Sequence, residues 1–299
     1  MTRVDQASFD LGGRKALVTG GAMGIGRACA FALAKGGADV AIVDLNEEIG
    51  EKTAASIREM GRDAVFIHCD VSLAAQIQTM IVAGVRRFGR LDIAVNNAGI
   101  YRHGSDEDQS KEEWEQVIGV NLTGTWLCAQ AEMRQMIRQT PTEGKIINIA
   151  SIAACVALSN GSYDASKAGV VHLTRTLAMQ WGRYNINVNS VSPGYVISGM
   201  GTKSRSLEER QRLRELTPLG HMLRLEDLYG PIVFLASGAS DYVTGQNLVV
   251  DGGYTLSPRH EPLQRSVPPR VDSAAEVIEM NKDLDARGVA HDEDGIISE

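Results

Sequence analysis

The sequence predicts an α/β fold with parallel strands, on three observations. Short apolar, β-branched runs alternate with longer helical stretches along the chain. The first such run leads straight into a glycine-rich turn and an apolar helix. The 299 residues, 43% of them hydrophobic, suffice for one large domain or two small ones with a sizeable core.

Residues 1–13 read as a short arm. Lys15–Thr19 is a buried strand by length and β-branching, and it runs into Gly20-Gly21-Ala22-Met23-Gly24-Ile25-Gly26. An apolar helix from Arg27 to Lys35 follows and is stopped by Gly36-Gly37. A plain tight turn has the same composition. In the order strand, turn, helix, the glycines instead let the backbone approach a pyrophosphate at the helix N-terminus. The second strand, Ala38–Val43, ends in Asp44. A carboxylate there accepts hydrogen bonds from adenosine ribose hydroxyls and repels a 2′-phosphate. No arginine or lysine stands at Gly21 or just after Asp44, so the residues favour NAD over NADP.

Glu47–Met60 reads as an exposed helix and Ala64–Cys69 as the third strand, closed by Asp70-Val71. His68, Cys69 and Asp70 alternate between strand faces, so they cannot converge on an ion, and no metal site is expected. A helix ending near Phe88 leads to the fourth strand, Leu91–Val95, and to Asn96-Asn97-Ala98-Gly99. Lys111 to about Arg138 is one long amphipathic helical stretch; Asn121 within it reads as a helix-bending or partner-bound core amide. The fifth strand, Gly144–Ser151, puts Ser151 at its C-terminal end, the end where open parallel sheets bind ligands. A helix through Tyr163 and Lys167 to about Trp181, a sixth strand Ile186–Val191 and the turn Ser192-Pro193-Gly194 follow. Residues 199–217 are polar and charged, as a lid would be. Leu225–Ser237 reads as a helix and Asn247–Val250 as the seventh strand, before Asp251-Gly252-Gly253.

Tyr163 and Lys167 are four residues apart and share one helix face. An ammonium beside a phenol favours the phenolate and lowers a pKa that is about 10 unperturbed. A tyrosine so placed can exchange protons near neutral pH.

The net charge of −7 argues against nucleic acid and anionic membrane surfaces as partners. No run is long and apolar enough for a membrane span, and the first residues lack a signal-peptide core, so a cytoplasmic protein is expected. Cys29, Cys69, Cys128 and Cys155 are scattered in apolar segments and read as reduced thiols; Cys155, near the site, is the accessible candidate.

The chain resembles the short-chain dehydrogenase/reductase superfamily over roughly residues 10–256. The matching pieces are Thr19-Gly20-x3-Gly24-x-Gly26, Asp70-Val71, Asn96-Asn97-Ala98-Gly99, Asn121, Ser151, Tyr163-x3-Lys167, Pro193-Gly194 and Asp251-Gly252-Gly253, in family order. The resemblance implies a doubly wound, Rossmann-like sheet of seven parallel strands, a bound nicotinamide dinucleotide, and hydride transfer at a carbinol or carbonyl carbon. It implies Tyr163 as general acid/base, Lys167 lowering its pKa and holding the nicotinamide ribose, Ser151 on the substrate oxygen, and Asn121 holding a water that links Lys167 to solvent. It assigns the cofactor to Gly20, Met23, Gly24, Ile25, Gly26, Asp44, Leu45, Asp70, Val71, Asn97, Ala98, Gly99, Tyr163, Lys167, Pro193, Gly194, Val196 and Ser198. Two departures stand out: the Ser151–Tyr163 interval is one residue shorter than the family's commonest, and Ser198 stands where threonine is frequent.

The expected function is an NAD-dependent oxidoreductase of a secondary alcohol or its ketone. The alternatives are a 3-oxoacyl-type ketoreductase, disfavoured by Asp44 and by the acidic chain, and a catalytically silent NAD-binding regulator. The pocket is expected between Ile100–Ser105, Ile152–Ser162, Tyr195–Gly201 and part of 202–217. Its polar lining, including Tyr101, Arg102, His103, Ser159, Asn160 and Ser162, suits a sugar or polyol. Arg102 and His103 read either as anion contacts or as solvated loop residues. The helices at 111–138 and 162–181 carry more apolar residues than one sheet face needs. The resemblance implies that they pair across a two-fold axis, so a homo-oligomer, most plausibly a dihedral tetramer, is expected.

Residues 257–299 lie outside the resemblance. They carry ten acidic and five basic residues, and their prolines disfavour regular structure. They read either as a disordered solubilising tail or as a short helix from Ser273 to Gly288 that covers a neighbouring subunit.

Overall fold

A computed structural model describes residues 9–158, 160–197 and 205–256. Ser159, Ser198, the first part of the 199–217 segment and the 257–299 extension lie outside the described residues. Among the described residues, no helix is long and apolar enough to cross a membrane.

Seven parallel strands form one sheet in the order β3-β2-β1-β4-β5-β6-β7, the doubly wound arrangement implied by the resemblance. They are β1 (Lys15–Thr19), β2 (Asp39–Asp44), β3 (Ala64–His68), β4 (Ile93–Asn96), β5 (Gly144–Ile149), β6 (Ile186–Pro193) and β7 (Asn247–Val250). The helices are α1 (Gly24–Lys35), α2 (Glu47–Glu59), α3 (Ala74–Phe88), α4 (Lys111–Ile118), α5 (Thr125–Arg138), α6 (Gly161–Trp181), α7 (Leu207–Leu216) and α8 (Tyr229–Ala236).

Strand alternation divides the core into two layers. Ala16, Val18, Val40 and Ile42 pack on one face with Cys29 and Leu33 of α1, Ile57 of α2 and Ile232 of α8. Leu17, Ala41 and Val43 pack on the other with Met80 of α3, Cys128 and Met136 of α5, and Leu177 of α6. Burial on both faces explains why β1 and β2 are continuous apolar runs. Burial also pushes the Cys29 thiol up to about 12 and Cys69 to about 11, and raises Cys128, so these three are unreactive; Cys155 is exposed.

Several boundaries differ from the expectation. The 111–138 stretch is not one α-helix: Gly119–Gly124 forms a π-helical segment between α4 and α5. The 225–237 helix divides into a 3-10 turn, Leu225–Leu228, and α8, whose Pro231 is accommodated in the first turn, where an N–H is dispensable. The fourth strand starts only at Ile93; just before it, the Asp92 carboxylate accepts the Lys15 N–H at 2.8 Å and the Arg90 guanidinium at 2.7 Å. Within the polar 199–217 segment, Leu207–Leu216 is helical, nucleated by a capping box between Ser206 and Glu209.

A polar chain runs through the second layer. Asn96 Nδ2 donates to Glu132 Oε2 at 3.0 Å and to Asn148 Oδ1 at 3.1 Å, and Asn148 Nδ2 donates to Thr174 Oγ1 at 2.9 Å. Glu132 is fully buried, and desolvation pushes its carboxyl up to about 8 despite the Asn96 bond. The folded protein therefore keeps a proton that the unfolded chain releases near pH 4. The associated stability is complete below that pH and is lost as pH rises through 8. Replacing Glu132→Gln is expected to flatten this dependence, removing on the order of 3 kcal/mol of destabilisation between pH 5 and pH 8. Urea denaturation of both proteins at the two pH values measures it.

Candidate active site

The order of the sheet reverses between β1 and β4, and the turns beyond these two strands are stitched together. Thr19 Oγ1 accepts the N–H groups of Asn97 at 3.0 Å and Ala98 at 3.2 Å. Asn97 Nδ2 donates to the carbonyls of Thr19 at 3.2 Å and Gly20 at 2.9 Å. The turn tolerates no side chain at its crossing: a Cβ on Gly26 would overlap the Gly20 carbonyl oxygen. Gly20 and Gly24 adopt φ of +60° and +56°, a region that favours glycine.

Helix α1 begins beyond this turn with no side chain capping it at Met23 and no acidic residue in its first turn. A Cβ on Gly24 would meet nothing within 4 Å. Uncapped N–H groups, open space at Gly24 and close backbone approach form a cradle that fits a pyrophosphate. At the end of β2, the Asp44 carboxylate accepts the Ala22 N–H at 3.0 Å and the Asn46 N–H at 3.1 Å, which fixes it beside the same turn. Leu45 is exposed and Ile25 half-buried beside it. These residues fit a dinucleotide.

The other predicted cofactor residues line the same C-terminal edge. Asp70 Oδ1 accepts both the N–H and the hydroxyl of Ser72, and Val71 is buried at the entry to α3. Pro193 ends β6, and Gly194 lies so close to Asp251 that a Cβ would stand 2.8 Å from its Cα. Val196 bridges to Leu223.

Ser151, at the C-terminal end of β5, is nine-tenths buried; its hydroxyl accepts the Ala153 N–H at 3.1 Å and stands near enough to the Tyr163 phenol to lower its pKa. Lys167, one turn further along α6, is 4% exposed; its Nζ lies 5.7 Å from the centre of the Tyr163 ring and donates to the Ile149 carbonyl at 3.0 Å. A Cβ on Gly99 would stand 3.4 Å from that nitrogen, so the β4 turn closes directly over it. Two adjacent hydroxyls beside a cation can bind one carbonyl or carbinol oxygen and exchange a proton with it.

One expectation is corrected. Lys167 does not lower the Tyr163 pKa below its ordinary value. Packing around the half-buried phenol pushes it up to about 12, against the lowering effect of the nearby Ser151 hydroxyl. Lys167 is itself driven down to about 8 by desolvation. Asn121 is a partner-bound core amide, one of the two readings its place in the sequence allowed. Its Oδ1 accepts the Ile100 N–H at 2.8 Å, and its Nδ2 donates to the Ile100 carbonyl at 3.0 Å and to Ser166 Oγ at 3.1 Å. The side chain therefore clamps the loop after β4.

Asn160, which the sequence offered only as pocket lining, holds two elements. Its Oδ1 caps α6 by accepting the Tyr163 N–H at 3.0 Å, and its Nδ2 donates to the Arg102 carbonyl at 2.7 Å. Only the cap was visible in the chain, as an asparagine three residues before Tyr163. The Arg102 guanidinium turns to Gln116 at 3.2 Å. His103 is exposed and packs edge-on against Tyr101.

The depressed Lys167 pKa makes this residue a stability liability. Its contribution is present above about pH 10, where the unfolded amine is also neutral, and is lost as pH falls through 8. Lys167→Met is expected to be more stable than the parent at pH 7, by about 3 kcal/mol, with the gap closing toward pH 10. Thermal unfolding across that range checks it without any assay of activity.

Comparison with known proteins agrees with this architecture. The family model described as Enoyl-(Acyl carrier protein) reductase matches residues 20–255. D-threitol dehydrogenase of Mycolicibacterium smegmatis is 40% identical over 262 residues, covering 86% of this chain and all of that protein. The 2-dehydro-3-deoxy-D-gluconate 5-dehydrogenase of Dickeya dadantii is 37% identical over 83% of this chain and 97% of its own. A crystal structure of a gluconate 5-dehydrogenase from Burkholderia cenocepacia, in complex with NADP and tartrate, superposes with a TM-score of 0.78 at 38% identity, covering 84% and 98% of the two chains. On this sheet order, these motifs and these matches, the chain belongs to the short-chain dehydrogenase/reductase superfamily.

Proposed function

We propose that this protein is an NAD-dependent dehydrogenase interconverting a secondary alcohol of a polyhydroxylated substrate, a polyol or sugar acid, with its ketone. The observation that carries the reading is the Ser151–Tyr163 hydroxyl pair beside buried Lys167. The relatives named for D-threitol and for 2-dehydro-3-deoxy-D-gluconate support the substrate class. A bound nicotinamide supplies the hydride acceptor or donor and, when oxidised, a positive charge. The glycine turn at Gly20, Gly24 and Gly26 would hold its pyrophosphate, Asp44 the adenosine ribose, and Lys167 the nicotinamide ribose.

Ser151 orients the substrate oxygen, and Tyr163 moves its proton. A phenol near 12 is a proton donor at neutral pH, which suits the reductive direction: Tyr163 protonates the carbonyl oxygen as hydride reaches the carbon. Oxidation needs the phenolate, so its rate is expected to climb with pH. Tyr163→Phe removes one hydroxyl and little volume, and should lower turnover by about 10²–10⁴-fold in both directions with the fold intact. Steady-state rates with NAD and a polyol panel, read at the nicotinamide absorbance, test this. Near-normal turnover of the variant would sink the mechanism and favour a silent dinucleotide-binding protein.

Cofactor choice rests on Asp44. The Burkholderia cenocepacia neighbour was crystallised with NADP. In this chain the carboxylate is fixed by two backbone N–H groups at the edge of the turn and would face a 2′-phosphate with like charge. NAD should outperform NADP in kcat/KM, and Asp44→Ala should narrow the ratio by about tenfold or more. Equal use of both cofactors by the parent protein would remove this role from Asp44.

A homo-oligomer is part of the same proposal. Trp114, Trp126 and Met179, on α4, α5 and α6, are 42%, 41% and 78% exposed. Such side chains on neighbouring helices suit an interface between copies. Light scattering at micromolar concentration should give a multiple of 32.2 kDa, with a tetramer expected.

A further inference from the structure

The loop that follows β4 is exposed from His103 to Asp108, so little apolar packing holds it. Hydrogen bonds from three side chains fix it instead. Asn121 takes both main-chain groups of Ile100, Asn160 donates to the Arg102 carbonyl at 2.7 Å, and Asp106 Oδ1 accepts the Gly161 N–H at 2.7 Å. Tyr101 sits between the first two of these anchors. Its ring lies 5.2 Å from the Tyr163 ring at 69°, an edge-on contact, while the neighbouring Arg102 side chain turns to Gln116 of α4. The Tyr101 ring is therefore an aromatic wall beside the ring of the phenol that meets the substrate.

Asn160 connects this wall to the chemistry. It is 2% exposed, and one carboxamide caps the helix carrying Tyr163 and Lys167 while holding the backbone one residue from Tyr101. One side chain thus ties the backbone next to Tyr101 to the helix that carries Tyr163.

We propose that Tyr101 is a specificity-determining residue of the alcohol site, and that Asn160 is a positioning residue acting through it. This rests on the reading of Tyr163 as the proton-transferring group. The Tyr101 ring lies edge-on to the ring whose hydroxyl meets the substrate oxygen, near enough for a substituent of the carbinol carbon to reach it. A flat ring admits the edge of an unbranched hydroxylated chain and excludes a cyclic or branched substituent. The site accordingly selects straight-chain polyols, or their acids, over bulky secondary alcohols.

The test compares threitol with 1-phenylethanol as substrates of the full-length protein. Tyr101→Ala should shift the kcat/KM ratio toward 1-phenylethanol by about tenfold or more, the scale on which a pocket senses one or two carbon groups. Tyr101→Phe, which keeps the ring, should leave the ratio as in the parent. Asn160→Ser retains a good helix cap but cannot reach Arg102. It should raise KM for threitol by about five- to tenfold, the worth of one buried hydrogen bond, with kcat little changed. It should also speed amide hydrogen exchange at 100–106, a readout independent of turnover. In the Tyr101→Ala background the same substitution should raise KM no further. An unchanged ratio in Tyr101→Ala, or additive KM effects in the double variant, would overturn the proposal. A parent protein that oxidises no alcohol would instead overturn the functional reading, and the specificity role with it.

Discussion

A primary amine buried to 4% exposure at Lys167 constrains everything at the catalytic end of the sheet. An ammonium in that position must find acceptors, and the Ile149 carbonyl at the end of β5 is one of them. The contact fixes how deeply α6 sits against β5 and β6. It also requires a small residue over the nitrogen, which Gly99 supplies, and it keeps Tyr163, one turn earlier, at the mouth of the same cleft. Desolvation acts on both groups in opposite senses, lowering the amine and raising the phenol. The protein thus holds a proton donor and a nearly neutralisable cation side by side, at a cost to stability that the surrounding core offsets.

That core uses polar bonds where strand ends need fixing. Thr19, Asn97 and Asp44 tie the turns beyond β1, β2 and β4 to one another, so the cradle at Gly24 is a property of three strands and not of one loop. Beneath it, Asn96, Glu132, Asn148 and Thr174 form a chain across β4, β5, α5 and α6. An apolar layer would tolerate sliding between these elements, whereas paired amides fix their register.

Much of this was legible in the sequence. The strands announced themselves because burial on both faces demands continuous β-branched runs, as in Val40–Val43. The spacing of Tyr163 and Lys167, and Asp44 at a strand end, carry chemistry in their position alone. Other features depend on contacts distant in the chain. The Tyr163 pKa is set by packing, which no four-residue spacing encodes. Asn121 serves the Ile100 backbone 21 residues away, and Asn160 serves Arg102 58 residues away. Glu132 looks like any acidic helix residue until α5 is rotated onto the sheet.

That rotation depends on the π-helical segment Gly119–Gly124. A π turn accommodates one more residue than an α turn. Were Gly119–Gly124 to close into regular α geometry at the same length, every residue of α5 would turn by about 100° relative to α4. Cys128, Ala129 and Glu132 would then leave the sheet. Taking one residue out of the segment would instead restore a regular helix with the faces of α4 and α5 unchanged, so the wide turn is the place where this long helix can lose a residue and keep its core.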